Sequence, residues 1–146
     1  MANPQKPRAK REGFDSLGKG VDQVTVNVKF IYANGHGTVT FPDAHHGNVV
    51  MASQPQGQTA KITFKLTSDS TPGASLSDIT FATPPPAGLF DQRMQGADLI
   101  LDDHNHLPAG SNSQEYTYHV VVNHNGSPYV GDPKIKNDPS SGPVKD

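Results

Sequence analysis

Glycine and proline punctuate this chain so often that it cannot form long helices. Fourteen glycines and thirteen prolines are spread along 146 residues. Each proline removes a backbone donor, and each glycine lowers the cost of a turn. No stretch of ten residues carries apolar positions at helical spacing. Between the breaks, apolar and polar residues alternate with period two, the pattern of a half-buried strand. Val24, Val26, Val28 and Phe30 share one face of such a strand, with Thr25, Asn27 and Lys29 on the other. Asn34-Gly35-His36-Gly37 is a hairpin signal, and residues 38–41 read as the return strand. Further strands are expected over 48–52, 61–67, 79–82, 97–102 and 114–123. His124-Asn125-Gly126-Ser127 then turns the chain into a last strand over 128–136. Residues 88–96 have room for one helical turn at most. The fold class this predicts is all-β: an antiparallel β-sandwich of seven to eight strands, immunoglobulin-like or similar.

Composition narrows the chemistry. There is no cysteine, so no disulfide, thiol nucleophile or thiolate-bound metal is available. Apolar runs are only a few residues long, too short for a membrane span. The basic N-terminus is not followed by an apolar stretch, so no secretory signal is expected. A cytoplasmic or particle-associated location follows as the expectation.

Charge divides the chain. Residues 1–20 hold five basic and two acidic side chains, a net of +3. The rest holds seven basic and twelve acidic, a net of -5. Three units are expected: a basic flexible or docking arm over 1–20, a sandwich domain over 21–139 and a flexible tail over 140–146. Arg8, Lys10 and Arg11 supply charge for docking, and Phe14 and Leu17 supply apolar anchors. The natural partner is protein, including copies of this chain, because a basic arm complements an acidic body. The body has no basic stripe interleaved with aromatics, so nucleic acid is not the expected partner.

Candidate sites are few. In an extended chain, Asp102, His104 and His106 project to one side and could converge on a cation. The same residue types are also ordinary turn formers. His45-His46 beside Asp43 carries the same ambiguity. Tyr116, Tyr118 and Tyr129 could form a stacking patch for carbohydrate or protein, or cover the core edge with hydroxyls at the rim. There is no G-x-S-x-G elbow, phosphate loop or facing carboxylate pair, so neither an enzyme nor a cofactor is expected.

The closing string Gly131-Asp132-Pro133-Lys134-Ile135-Lys136-Asn137-Asp138-Pro139 is the most specific in the chain. Its prolines suggest a sheet edge or a bulge. It resembles the C-terminal signature of the DP-EP family of small bacterial proteins. Thr38 to Asp43 (T-V-T-F-P-D) and Ile62 to Leu66 (I-T-F-K-L) are similar to that family too. The likeness covers about residues 21–139, although this chain has no Glu-Pro pair. The resemblance implies a β-sandwich and no known activity, so it carries no catalytic residue here. The F-P-D segment is also similar to cupredoxin-like sandwiches, but the cysteine ligand of a blue-copper site is absent. The expected function is a non-enzymatic structural or protein-interaction module, such as a self-assembling coat, fibre or decoration subunit. The alternative is a ligand- or metal-binding module using the loop at 102–106.

Overall fold

A computed structural model describes residues 17–42, 47–108, 110–131 and 133–137. Eleven strands occur among them: β1 (Leu17–Val21), β2 (Gln23–Ala33), β3 (His36–Thr40), β4 (Val49–Met51), β5 (Ala60–Leu66), β6 (Ser75–Phe81), β7 (Phe90–Gln95), β8 (Asp98–Asp103), β9 (Gln114–His124), β10 (Ser127–Gly131) and β11 (Lys134–Asn137). They form two packed sheets, an all-β sandwich. One sheet runs β3-β2-β5-β8-β7. The other runs β1-β4-β11-β9-β10, with β6 on the far side of β9.

The alternating residues face as their period demands. Val26, Val28 and Phe30 of β2 meet Ile62 and Phe64 of β5 in a fully buried layer. Val120 and Val122 of β9 and Ile135 of β11 close that layer from the opposite sheet. Both Asn-Gly hairpins form as read. Asn34 and Gly35 adopt φ of 54° and 79°, and Asn125 and Gly126 adopt 51° and 79°. Positive φ at both central residues is the type I′ geometry, whose twist matches the flanking strands.

Several expectations need correction. β7 lies within the stretch 88–96, which the sequence leaves with room for one helical turn at most and no expected strand. It is an exposed edge strand, so burial imposes no apolar alternation that sequence could reveal. The sheets are mixed: β1–β4, β4–β11 and β2–β5 run parallel. Asp22 alone separates β1 from β2, and there the chain passes from one sheet to the other. β1 starts at Leu17, within the segment 1–20 read as an arm.

The closing segment also departs from expectation. β11 lies inside its sheet, between β4 and β9. Gly131 faces Val120 and Lys134 faces Thr117, so one register runs unbroken across Pro133. The Pro133 carbonyl still accepts from the Tyr118 N–H at 3.0 Å. The proline therefore sacrifices only a donor, and β10 and β11 act as one return strand.

Two glycines let the sheets close along one side. A Cβ on Gly131 would sit 2.7 Å from the Phe41 ring, and one on Gly37 would sit 2.5 Å from the Tyr129 ring. Along the other side, Phe81 of β6 stacks on Phe90 of β7 with centroids 4.8 Å apart. Gln92 of β7 reaches across there as well. Its carboxamide donates to the Ile79 carbonyl and accepts from the Ile79 N–H, both at 3.0 Å. That side chain occupies the β6 edge as a neighbouring strand would.

Candidate functional site

The loop after β8 is the densest polar cluster, and its side chains hold the fold together. Asp102 pairs with Arg93 Nε at 3.0 Å. His104 Nε2 lies 2.8 Å from Asp91 Oδ2. His106 Nδ1 donates to the Gln54 carbonyl at 2.8 Å. Thus Asp102 and His104 engage β7, whereas His106 turns to the segment after β4. The three are not brought onto one cation, and no group of three His, Asp or Glu side chains suited to a metal occurs among the described residues. Asp43, His45 and His46 lie outside the described residues.

Asn105, which the sequence did not single out, is central to this loop. Its buried Nδ2 donates to the Met51 carbonyl at 3.0 Å. Its Oδ1 accepts from the Leu107 N–H at 3.2 Å, and its carbonyl accepts from the Gln54 N–H at 2.7 Å. Ser53 Oγ donates to the Leu107 carbonyl at 2.8 Å. The segment 51–54, leaving β4, is thereby clasped to 105–107, leaving β8 in the opposite sheet. Of the alternating Asp and His, His106 joins this clasp between sheets, whereas Asp102 and His104 tie β8 and its loop to β7 within one sheet.

The three tyrosines do not form one patch. Tyr118 is fully buried against Phe64, and its hydroxyl donates to the Gly47 carbonyl at 2.8 Å. This corrects the expectation of a rim hydroxyl. Tyr129 packs on Phe30 and Tyr32 near the two hairpin tips. Beside it, the His124 ring lies 5.3 Å from Phe30 and 5.0 Å from Tyr32. Tyr116 lies towards the other end of β9, edge-on to Phe81 and Phe90. It borders a cleft of about 350 Å³ lined also by Ala82, Thr83, Pro84, Glu115 and Thr117.

Burial, and then the buried Asp103 carboxylate nearby, raise the Tyr116 pKa above the usual phenol value. The folded state holds this proton more tightly than the unfolded chain. Its contribution to stability is therefore complete below the unfolded pKa and is lost as pH rises through the folded one. Thermal melts from about pH 9 to 12 should show a falling Tm that Tyr116→Phe partly flattens. An unchanged alkaline slope in that variant would refute the assignment.

The remaining notable surface is the β7 edge. Asp91 to Gln95 are five successive exposed residues, and β8 is the ladder partner of β7. Of the expected docking residues, Leu17 opens β1 opposite Val49. Arg8, Lys10, Arg11 and Phe14 lie outside the described residues. No helix among the described residues is long and apolar enough to cross a membrane. No family model matches the chain, and no curated protein matches it either.

Proposed function

We propose that this chain is a non-enzymatic structural or protein-interaction module that associates with protein, copies of itself included. The observation that carries this reading is the open β7 edge, an exposed backbone paired on one side. Such an edge accepts an added strand, with backbone hydrogen bonds supplying affinity and side chains supplying register. The side chains with the most chemical potential are engaged elsewhere. Asp102, His104, Asn105 and His106 hold loops and strands together. The net +3 of residues 1–20 against -5 for the remainder adds a long-range attraction between copies. The likeness of the closing segment to the DP-EP family belongs to this proposal and brings no activity with it. A coat, fibre or decoration subunit is the kind of assembly that suits such a domain.

Light scattering on the full chain, over a range of concentrations and at low and high salt, tests the reading. The expected result is a mass above the monomer that rises with concentration. Mass that falls on deleting residues 1–16 assigns part of the contact to the arm, and mass that falls on adding salt shows that charge contributes to the contact. A monomer under every condition overturns self-association.

A further inference from the structure

We propose that β7 pairs antiparallel with β7 of a second copy about a two-fold axis at Gln92, joining two five-stranded sheets into one. The inference deepens the association reading above and rests on it. It follows from the hairpin register. Gln95 faces Asp98 across the turn at Gly96 and Ala97, and Arg93 faces Ile100. In a two-residue hairpin the pair flanking the turn exchanges hydrogen bonds, and bonded pairs then alternate along the ladder. Gln95, Arg93 and Asp91 therefore bond to β8. The His104 N–H donating to the Leu89 carbonyl at 2.8 Å continues the same alternation. The N–H and C=O groups of Phe90, Gln92 and Met94 point the other way, towards the open edge.

The side chains select one register. With Gln92 opposite its own copy, Asp91 of one chain faces Arg93 of the other, twice over by symmetry. Beside their in-chain partners His104 and Asp102, Asp91 is still 69% exposed and Arg93 46% exposed, so each keeps open surface with which to reach across. On the opposite face of the strand, Phe90 meets Met94 of the other copy, again twice. A thioether against an aromatic ring is a favourable contact, and Met94 is 48% exposed in the single chain. Shifting the pairing to the next hydrogen-bonding register in either direction sets Arg93 against Arg93 or Asp91 against Asp91, which like-charge repulsion disfavours. The segment Phe90-Asp91-Gln92-Arg93-Met94 is self-complementary about its centre, as an isologous interface requires.

Three variants of the full chain test this by light scattering, with amide hydrogen exchange at Gln92 as a second readout. Met94→Pro removes an N–H from the open edge and leaves the β7–β8 bonds intact. Arg93→Asp sets carboxylates face to face across the axis. The exchange D91R/R93D restores opposite charges. The expected result is a pair for the parent chain, half that mass for Met94→Pro and Arg93→Asp, and recovery of the pair in D91R/R93D. Protection of the Gln92 amide should fall and return with the pair. Circular dichroism confirms that each variant is folded. Association that survives both Met94→Pro and Arg93→Asp overturns the β7 pairing and leaves the broader reading standing. A parent chain that is monomeric throughout overturns both.

Discussion

Replacing Tyr118 by alanine should cost about 3–5 kcal/mol of stability, the range for emptying a buried aromatic site. The ring is fully buried against Phe64, with centroids 5.6 Å apart. In a domain of this size, that loss lowers Tm by roughly 10–20 °C. Tyr118→Phe separates the ring from its hydroxyl. It keeps the packing but removes the donor to the buried Gly47 carbonyl. A cost of about 1–3 kcal/mol is expected for leaving that acceptor unmatched. Urea unfolding of both variants, read at constant m-value, checks the two figures. A neutral Tyr118→Phe would mean that the Gly47 carbonyl finds another donor.

Asn105→Leu should be the most damaging change in the polar loop. It removes two bonds made by one side chain, leaving the Met51 carbonyl and the Leu107 N–H unmatched. At about 1–3 kcal/mol for each stranded group, a loss of about 2–6 kcal/mol is expected. His104→Ala should cost less than about 1 kcal/mol, because its contact with Asp91 is a surface pair. The ranking is the test: chemical denaturation should place Asn105→Leu well below His104→Ala. An equal effect would refute the clasp. Adding zinc or copper should leave Tm unchanged, since Asp102, His104 and His106 point to separate partners.

The contrast between Asn105 and its histidine neighbours shows where sequence reading stops. Asp, His and Asn in a row are the vocabulary of a metal loop and of a structural turn alike. Which of them they serve depends on Met51 and Gln54, which lie more than fifty positions away along the chain. The sequence carried no signal for that pairing. The same is true of Gly37 and Gly131, whose missing side chains admit Tyr129 and Phe41. The β7 edge was also hidden, because an exposed strand has no buried face to enforce alternation.

What the sequence determined by itself was local. The period-two alternation of residues 24–30 and 62–66 marked the buried faces of β2 and β5, and 114–123 read as the strand that became β9. The Asn-Gly pairs at 34–35 and 125–126 set two hairpins and their registers. These features rest on backbone sterics and nearest-neighbour geometry, which a few adjacent residues specify. Only the tertiary structure decided which strands lie side by side. It set β11 inside its sheet between β4 and β9, ran β2 parallel to β5, and left β7 with one open edge. Those choices depend on how two apolar faces cover each other, a property of the whole chain that short segments do not encode.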